Sequence, residues 1–545
     1  MITRCYMAFA ALSLSLAAPA QVDYQVVPLP QKIELDGSGR TTLLIKGQTV
    51  EYPEGNAQMK RNAEFAQEFL GLKPQEAQTP IKAAGKRKQS RTPLRAPVSL
   101  TLGLQSENPD AFVITVGQQG VTIQGASESG VFHGIQTLRK SIAAEQGDTI
   151  ALPWATVASE PRFQYRGAML DCARHFFQVS FIKKFLDILA LHGLNQFHWH
   201  LTDDQGWRPE IKALPELEKA SSRSCTVIGR NVGLHDMQNP ICDDTPVQGF
   251  YTQDELREVV AYAAERYINI IPEIDLPGHM VAALSVYPEL GCTGGPYPIR
   301  PYYTIDPDVL CAGNPKTLEF IKTVLGEVCD VFPSKFIHIG GDECPRVNWK
   351  ACQKCQALMK QMGFQKEAQL QSYINAEVGD FLSARGRELI GWDEILEGGL
   401  SENATVMSWR GYEGGIAAAR QRHRVIMTPT SHCYFDYYQL GNQDTQPLAI
   451  GGYLPLSLVY KMEPVPGELS EEEKKYILGA QCNLWSEDMV SPDHVMYMLL
   501  PRLAALSEVQ WMQPAQKDFG QFTGRLDNLL RLYRREGYKY CTTYE

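Results

Sequence analysis

Short apolar runs recur between about residue 160 and residue 490, and polar or glycine-rich segments and stretches of helical periodicity separate them. Eight of these runs have the length and apolar character of buried strands. They lie at 166–170, 196–201, 269–274, 336–339, 388–391, 405–408, 425–428 and 478–484. Eight strands that alternate with helices predict an α/β fold, a (β/α)8 TIM-type barrel with long loops. A doubly wound open sheet is the alternative that this pattern leaves open.

Helical patterns fall between most of these strands. Residues 180–192 have amphipathic spacing, which predicts a helix after the first strand. Another predicted helix opens at Thr252, where Glu255 completes a capping box before an apolar-periodic run. A final helix is predicted from Phe519 onward, followed by a short polar end.

The chain before residue 150 has a different organisation. Alternating positions predict strands at 98–102, 111–116 and 121–123, and helical spacing predicts a helix at 129–142. A proline-containing junction at 152–161 follows this part. We therefore predict a small α+β domain at 21–157 and a barrel domain with a C-terminal helix at 158–545.

The first twenty residues have the pattern of a secretory signal peptide. Arg4 precedes an apolar run at 7–18, and small residues around Ala20 form a cleavage site. No later segment approaches the roughly 20 continuous apolar residues that a transmembrane helix needs. We expect the mature protein, starting at residue 21, to be exported to the periplasm or secreted.

Composition narrows the choice of partners. The chain has 545 residues, of which 44% are hydrophobic and 21% are charged, as is typical of globular proteins. Its formal net charge of −10 argues against a nucleic-acid partner, because phosphate binding requires concentrated basic surface. These patterns indicate no particular oligomeric state.

Thirteen cysteines are present, and an even number remains when Cys5 is assigned to the signal peptide. Export permits disulfides, and we expect Cys292 to pair with Cys311 and Cys225 with Cys242, because each pair brackets a loop-like segment. Residues 352–355 form a Cys-x-x-Cys motif that resembles half a zinc site. No second Cys-x-x-Cys or His-x-x-x-His follows at a suitable distance, so a local disulfide or plain thiols are favoured.

Residues whose side chains could take part in catalysis or ligand binding follow the carboxyl ends of the predicted strands. They are Asp171, Arg174, His200, Asp203, Asp275, His279, Asp342, Glu343, Trp392, Trp409, Tyr434, Asp436, Trp485 and Glu487. In a closed parallel barrel these strand ends form one face, and active sites of this fold lie there. We therefore expect these side chains to meet in one site.

Asp342 and Glu343 stand side by side after an apolar strand that ends in two glycines. Neighbouring carboxylates repel each other when both ionise, so one of them tends to keep its proton near neutrality. A protonated acid beside an anion is typical of glycosidases. The alternative is that the pair only begins a helix, since acids favour helix N-termini.

His198 and His200 lie two residues apart on a strand and point the same way, so they offer a possible metal site. A third ligand at fixed spacing is missing, and buried histidines that organise hydrogen bonds are the favoured interpretation. Asp203 and His279 are better catalytic candidates, because a carboxylate and an imidazole can orient and polarise a third group. Arg174 either neutralises these acids or binds two neighbouring hydroxyls of a sugar ring with its planar guanidinium group.

Aromatic residues from different strand ends would form a cup. They are Trp392, Trp409, Trp485 and Tyr434. Such a cup suits the apolar face of a pyranose ring or an N-acetyl methyl group. Asp436 and Glu487 would accept hydrogen bonds from the outer hydroxyls.

Together these motifs resemble the β-N-acetylhexosaminidases of glycoside hydrolase family 20. The motifs are RGAMLDCARHF at 166–176, FHWHLTDD at 197–204, HIGGDE at 338–343, GWDE at 391–394 and LWSE at 484–487. The resemblance extends from about residue 21 to about residue 513, and it includes the small domain with GIQTL at 134–138. Several motifs in order along the chain are far more specific than any single one.

The resemblance implies a retaining, exo-acting hydrolase that removes terminal β-linked GlcNAc or GalNAc from glycans. Glu343 would be the general acid/base, and Asp342 would hold the 2-acetamido N–H while the acetamido oxygen attacks the anomeric carbon. The resulting oxazolinium intermediate needs no protein nucleophile, which explains why the two acids can be adjacent. Tyr434 would hold the acetamido oxygen, and Asp203 with His279 would support the acid.

The resemblance also assigns the binding residues. Trp392, Trp409 and Trp485 would enclose the sugar, and Arg174, Asp436 and Glu487 would read its hydroxyls. No metal or organic cofactor is implied.

The same residues are compatible with other functions. A lacto-N-biosidase-like or 6-sulfo-GlcNAc-specific member of the same family would share these residues, although acids near O6 would repel a sulfate. A non-catalytic carbohydrate-binding protein on the same scaffold is a further possibility. A metallohydrolase that uses His198 and His200 is the remaining alternative.

Overall fold

The computed structural model describes residues 22–77, 97–145, 147–223, 225 and 245–545. The predicted signal peptide at 1–20 and Cys242 lie outside these residues. Along the described chain, a sheet covered by helices is followed by a barrel.

Strands and two helices form the unit before residue 160. Their bounds are β1 Lys32–Leu35, β2 Thr41–Ile45, β3 Thr49–Tyr52, α1 Ala57–Leu70, β4 Lys73–Glu76, β5 Val98–Leu102, β6 Phe112–Gly117, β7 Gly120–Gly125, α2 Glu128–Ser141, β8 Thr149–Pro153 and β9 Ala155–Ser159. The main sheet has the order β1-β9-β6-β7-β5-β3-β4, and β2 pairs with β8. The predicted strands and helix of this part correspond to β5, β6, β7 and α2, with ends that agree within two residues.

The later strands build a closed barrel. Their bounds are β10 Tyr165–Asp171, β11 Gln196–His200, β12 Thr202–Asp203, β13 Gly206–Trp207, β14 Ser222–Arg223, β15 Val247–Gln248, β16 Asn269–Glu273, β17 Phe336–His338, β18 Glu388–Trp392, β19 Thr405–Ser408, β20 Val425–Met427, β21 Tyr437–Tyr438, β22 Gly451–Tyr453 and β23 Ile477–Leu484. The barrel order is β10-β11-β16-β17-β18-β19-β20-β23, and every neighbouring pair is parallel.

The barrel closes because β23 pairs back onto β10, with Leu484 opposite Leu170. This pairing confirms the predicted barrel and makes the open sheet wrong. The predicted strands match the observed ones to within one residue at each end, because strands buried on both faces are continuous apolar runs.

Helices surround the barrel strands. Their bounds are α3 Val179–Leu191, α4 Gln253–Ala264, α5 Val281–Val286, α6 Pro315–Val331, α7 Val347–Ala351, α8 Gln353–Met362, α9 Ala368–Ser383, α10 Glu413–Arg420, α11 Thr430–Cys433, α12 Leu456–Lys461, α13 Glu471–Lys474, α14 Pro492–Leu499, α15 Arg502–Trp511 and α16 Phe519–Arg535, with 3-10 turns at Pro215–Ser221, Pro288–Leu290, Asp393–Leu396, Gln443–Thr445 and Pro514–Gln516. The predicted capping box is present, since Thr252 and Glu255 exchange hydrogen bonds at the start of α4. None of the helices in the described part is both long and apolar enough to cross a bilayer.

A buried ion pair joins the two units. The Arg166 guanidinium lies 2.6 Å from Asp110, donates to the carbonyl of Gly193 and lies over the ring of Trp511. Burial opposes ionisation of Asp110, but Arg166, His133 and Ser129 together outweigh it and lower the pKa of this carboxyl to about 2. The first residue of the RGAMLDCARHF motif therefore fastens the barrel to the N-terminal unit and does not enter the site.

One predicted disulfide is wrong. Cys292 and Cys311 are both free thiols, and so are Cys352 and Cys355. These four sulfurs lie within 4.8 Å of one another, so the Cys-x-x-Cys segment is neither a local disulfide nor isolated. Sequence spacing missed this arrangement because the two halves come from different loops. Cys225 is disulfide-bonded; its predicted pairing with Cys242, which lies outside the described residues, stays a prediction.

Candidate active site

A cavity of about 410 Å³ opens at the carboxyl ends of the barrel strands. Its volume falls within the usual range of small-ligand pockets, about 300 to 1,000 Å³. The predicted site residues that line it are Arg174, His279, Asp342, Glu343, Trp392, Trp409, Tyr434, Asp436, Trp485 and Glu487. Asp203 does not line the cavity; it is buried behind His279.

Two glycines bring the adjacent carboxylates into this cavity. Gly340 and Gly341 follow β17 with φ values of 63° and 95°, a region that favours glycine. A Cβ on Gly340 would lie 1.7 Å from the Asp275 carboxylate, so no larger residue fits. Asp275 also accepts a hydrogen bond from the Gly341 amide. The HIGGDE motif is therefore a tight turn that aims Asp342 and Glu343 at the cavity.

His279 stands between the acid pair and a second group of carboxylates. Its Nε2 lies 3.7 Å from Glu343 and 3.9 Å from Asp342, while its Nδ1 lies 3.3 Å from both Asp203 and Asp204. Both His279 and Glu343 have positive φ values, 51° and 45°. Non-glycine residues hold such backbone conformations only where the surroundings impose them, and such positions cluster at functional sites.

The surroundings of His279 and the neighbouring carboxylates shift their pKa values strongly. Burial opposes charging of His279, but the neighbouring Asp203 and Asp204 outweigh it and raise the pKa of the imidazole well above its usual range. Likewise, Arg174 and His279 overcome burial and lower the pKa of Asp203. Burial, together with the charge of Glu343, raises the pKa of Asp342 to about 6. A cationic imidazole therefore lies next to an acid that titrates near neutrality.

Beneath the site, Glu273 lies inside the barrel among three histidines. Its carboxylate lies 2.9 Å from His198, 2.9 Å from His338 and 2.5 Å from His200, and it accepts a hydrogen bond from Trp392 Nε1. The two histidines of the FHWH segment thus organise a buried polar network. His200 continues it upward, because its other nitrogen lies 3.0 Å from Asp203.

An aromatic wall completes the cavity. The rings of Trp392 and Trp485 lie 5.7 Å apart, and Trp409 stacks on Tyr434 at 6.1 Å. Tyr434 is held by a parallel bridge to Asn483 on β23. The structure thus brings together the four aromatic residues that the sequence placed on separate strand ends.

Arg174 reaches the polar side of the cavity and is itself surrounded by acids. Its guanidinium lies 2.9 Å from Asp203, 3.4 Å from Asp171 and 3.9 Å from Glu487. Burial raises the pKa of Glu487 to about 7, although Arg174 acts in the opposite direction. Burial and the charge of Glu487 raise the pKa of Asp436 well above its usual range.

Several buried polar atoms around the cavity have no hydrogen-bond partner within the described part of the chain. They are Asp342 Oδ1, Asp436 Oδ1, Glu487 Oε2 and Arg174 Nε. Buried polar groups are normally paired, so atoms left without partners at the edge of a cavity mark positions for ligand hydroxyls or amides. This set combines acceptors and a donor, as a sugar requires.

Other residues that line the cavity were not predicted. They are Tyr302, Tyr303, Thr304, Ile305, Tyr437, Ile450, Gly451, Gly452 and Asp488. Residues 302–305 come from a loop without regular spacing, and no local pattern could have identified them. Glu394, within the GWDE motif, was given no role, yet its carboxylate accepts a hydrogen bond from Trp409 Nε1. Burial and Asp342 raise its pKa to about 8.

The chain matches the models of one protein family over both of its parts. The catalytic-domain model of glycosyl hydrolase family 20 matches residues 163–514, and the domain 2 model of the same family matches residues 23–158. The chain is 45% identical over 426 residues to a β-hexosaminidase of Porphyromonas gingivalis, and 38% identical over 403 residues to one of Vibrio furnissii. These alignments cover 77% and 73% of this chain but only 53% and 64% of the two relatives. The chain thus spans about half to two thirds of their length.

Solved structures resemble this fold over nearly the whole chain. The GH20 β-N-acetylhexosaminidase from Streptomyces coelicolor superposes with a TM-score of 0.78 at 27% identity, covering 97% of this chain and 99% of that one. A mutant Streptomyces plicatus β-hexosaminidase in complex with its product GlcNAc gives a TM-score of 0.79 at 26% identity, covering 96% and 98%.

Proposed function

The chain belongs to glycosyl hydrolase family 20, and from this premise we propose that it hydrolyses terminal, non-reducing β-linked N-acetylhexosamine residues of glycans. One observation carries the proposal. Asp342 and Glu343 project from one tight turn into an aromatic-walled cavity that also contains unpaired acceptor atoms. The names of the similar proteins, β-hexosaminidases, support the same activity.

Glu343 is the proposed general acid and base. About a third of its side chain is exposed at the cavity, so it can reach the bond between the sugar and its leaving group. In the first step its proton moves to the glycosidic oxygen while the bond from that oxygen to C1 breaks. The resulting Glu343 carboxylate faces the cationic His279 at 3.7 Å, which stabilises the anion as it forms.

The proposed nucleophile belongs to the substrate. Asp342 and Glu343 are adjacent in one turn and both approach the same nitrogen of His279, which supports a place for both acids on one side of the sugar. An enzyme with a carboxylate nucleophile places its two acids on opposite sides of the bond, about 5 to 5.5 Å apart. Here the 2-acetamido oxygen would attack C1 and form an oxazolinium ion. The Asp342 carboxylate would accept a hydrogen bond from the acetamido N–H and stabilise the positive charge of this ion.

Water completes the reaction. The Glu343 carboxylate removes one proton from a water molecule, whose oxygen attacks C1 and opens the oxazolinium ring. This step regenerates the acetamido group and protonated Glu343, and it releases the sugar with its original β configuration. Two inversions at C1 therefore give net retention.

The wall residues select the sugar. Trp392, Trp409 and Trp485 line the cavity and would offer apolar faces to the ring and the acetamido methyl group, and Tyr434 would donate to the acetamido oxygen. Asp436, Glu487 and Arg174 supply the polar atoms for the hydroxyls. Above the pKa of Glu487, which burial raises to about 7, its ionised carboxylate would repel a sulfated sugar.

Hydrolysis of p-nitrophenyl β-GlcNAc and β-GalNAc by the purified mature protein tests the activity. We expect release of p-nitrophenol from at least one of them and none from p-nitrophenyl β-glucoside, which lacks the acetamido group. Failure on both acetamido sugars would remove the simple exo-hexosaminidase reading. In that case, cleavage of a β-linked lacto-N-biose glycoside would instead indicate the biosidase-like alternative, and cleavage of a 6-sulfated GlcNAc glycoside the sulfated-sugar one.

Substrate assistance has its own test. Replacing the acetamido methyl by trifluoromethyl makes the carbonyl oxygen a poorer nucleophile, so kcat should fall steeply with this substrate. Proton NMR of the first sugar released should show the β anomer. An α anomer as first product, or a kcat unchanged by fluorination, would exclude the proposed mechanism.

We also propose that the protein is exported, to the periplasm or to the medium, on the basis of its predicted signal peptide. Mass spectrometry of the protein from its native host should give a mature N-terminus near residue 21. Intact Met1 in the isolated protein would contradict export by this route.

A further inference from the structure

Four cysteine sulfurs meet in the segments that follow β16 and β17, outside the lining of the cavity. They belong to Cys292, Cys311, Cys352 and Cys355, which we call the four-cysteine cluster. The Cys311 sulfur lies 3.7 Å from that of Cys352 and 3.6 Å from that of Cys355, and the sulfurs of Cys292 and Cys355 are 3.9 Å apart. All four atoms lie within 4.8 Å of one another.

These separations fit a tetrahedral metal site and do not fit disulfides. Disulfide sulfurs are about 2.05 Å apart, much closer than those of the cluster. Zinc binds thiolates at about 2.3 Å, which places the sulfurs of a tetrahedral site about 3.8 Å from one another. The observed sulfur–sulfur distances of 3.6, 3.7 and 3.9 Å bracket this value.

The backbone holds the cluster in a defined frame. Gly291 and Leu310 form an antiparallel bridge that brings Cys292 beside Cys311, and the Cys311 amide donates to the carbonyl of Leu290. On the opposite side, Cys352 is the N-cap residue of α8 and Cys355 lies in its first turn. The frame therefore joins one loop to one helix end.

A glycine allows the two sides to approach. A Cβ on Gly313 would lie 2.2 Å from the carbonyl carbon of Lys354, so only glycine fits beside Cys355. The backbone of Gly313 also hydrogen-bonds to the sulfurs of Cys311 and Cys355. Such contacts orient ligands and support thiolates in metal sites.

The cluster is largely closed to water. Cys311, Cys352 and Cys355 are buried, and Trp349 packs nearby with its indole N–H donated to the Leu310 carbonyl. Four protein thiolates fill a tetrahedral shell and leave no position for a substrate. Closed four-cysteine sites of this kind are structural zinc sites.

We propose that the four-cysteine cluster binds one Zn²⁺ ion that ties two loops of the catalytic face together. The segment between Cys292 and Cys311 carries residues 302–305 of the cavity wall. The chain from Glu343 leads through α7 to Cys352. The metal thus fixes the wall loop against the segment that bears the acid pair. Its role is structural, because none of its ligands lines the cavity.

Soft thiolate ligands select zinc over the harder divalent ions. Magnesium and calcium prefer oxygen ligands, whereas four sulfurs in a tetrahedron suit zinc or iron. Zinc also explains how four neighbouring thiols would stay reduced in an exported protein, since metal-bound thiolates are not available for pairing. The proposal is independent of the hydrolase activity, because it concerns residues outside the cavity.

Metal content of the full mature chain is the direct test. Protein purified without chelators and analysed by inductively coupled plasma mass spectrometry should contain one zinc per chain. An organomercurial that blocks thiols should release this zinc to a metallochromic dye. Iron in place of zinc would overturn the choice of metal. Absence of metal, with no zinc uptake by the reduced protein, would overturn the site itself.

Matched variants locate the ion. Cys292→Ser and Cys355→Ser should each weaken zinc binding by more than about a hundredfold, because even partners outside the ligand shell contribute about 10- to 100-fold. Cys329→Ser is the control, since Cys329 is a buried free thiol of α6 outside the cluster. Equal zinc content in all three variants would contradict the proposal.

Two further readouts do not depend on the variants folding well. Cobalt substituted into the wild-type protein should give the intense visible bands of tetrahedral thiolate coordination. Intact mass under non-reducing conditions should show free thiols at the cluster once zinc is removed. A mass lowered by four hydrogens beyond the two lost to the disulfide of Cys225, in protein prepared without reductant, would show two disulfides there and overturn the metal site.

Discussion

Buried acids lie at two levels of the barrel, its floor and the rim of the cavity, and their surroundings shift the carboxyl pKa values in opposite directions. Glu273 sits on the floor among His198, His200 and His338, which outweigh the effect of burial and hold its pKa well below the usual range. At the rim, burial raises the pKa of Asp436 and brings that of Glu487 to about 7. Burial alone therefore does not identify a site.

Partners make the difference between floor and rim. The floor carboxylate is enclosed by histidines and by Trp392, so its charge is compensated inside the protein. Rim carboxylates keep oxygen atoms without hydrogen-bond partners in the described chain. Removing one partner of a compensated buried charge destabilises a fold, whereas unpaired polar atoms at a cavity are available to a ligand. The comparison predicts that rim variants lose activity and floor variants lose stability.

The largest effect is expected for Glu343→Gln. Removing a general acid and base lowers kcat by about a hundredfold to ten-thousandfold. Stability should hardly change, because the side chain is partly exposed. The measurement is steady-state hydrolysis of p-nitrophenyl β-GlcNAc alongside thermal unfolding. Glu377→Gln, a partly exposed helix acid paired with Lys322, is the control and should keep full activity. Undiminished turnover by Glu343→Gln would contradict its role.

Glu273→Gln tests the floor. The change removes the carboxylate that faces His200, whose pKa that carboxylate helps to raise well above its usual range, and breaking a buried ion pair costs about 3 to 5 kcal/mol. We expect the free energy of unfolding, measured with urea, to fall by that amount. The free energy of unfolding of the matched rim variant, Glu487→Gln, should not fall. If both variants unfold alike, the distinction between floor and rim does not hold.

Glu487→Gln should mainly affect binding. A hydrogen bond from a ligand hydroxyl to a charged acceptor is worth about 1.5 to 3 kcal/mol, so kcat/KM should drop about ten- to a hundredfold. Because burial raises the pKa of Glu487 to about 7, the fold disfavours its ionised form above that pH, and a neutral amide removes the penalty. Stability at pH 8 should therefore stay equal or rise. A large loss of stability would place Glu487 with the floor acids.

The smallest effect is the pH dependence of the wild type. Burial raises the pKa of Asp342 to about 6, and the proposed mechanism needs this group ionised to hold the acetamido N–H. Below that pH the group is protonated, so kcat/KM should fall about tenfold for each unit of acidification. Asp342→Asn has no such group and should lose this limb of the profile. An unchanged acid limb in the variant would assign the titration to another residue.

The architecture followed closely from the sequence. Each of the barrel strands is a short apolar run, and local periodicity records a strand whether or not its neighbours are known. Acids and aromatics after the strand ends could be placed on one face because parallel barrels bring those ends together. Asp203 shows the limit of that reasoning, since strand-end position did not reveal that it lies behind His279.

Pairing between distant segments was not predictable in the same way. Cys292 and Cys311 bracket a loop, which suggested a disulfide, yet they are free thiols that meet Cys352 and Cys355 from another loop. The Cys-x-x-Cys motif was set aside because its other half has no regular spacing in the chain. Residues 302–305 line the cavity, but no local sequence pattern identified them, because their position also depends on contacts between distant segments.

The sequence by itself determined the order of strands and helices, the acid pair at the end of β17 and the family resemblance. These features are encoded by neighbours along the chain, where periodicity and motifs are visible. The tertiary structure decided which acids are compensated, which loops wall the cavity and that four thiols converge. Those outcomes depend on contacts between residues far apart in sequence, and hydrophobic packing of the barrel sets such contacts without leaving a spacing rule behind.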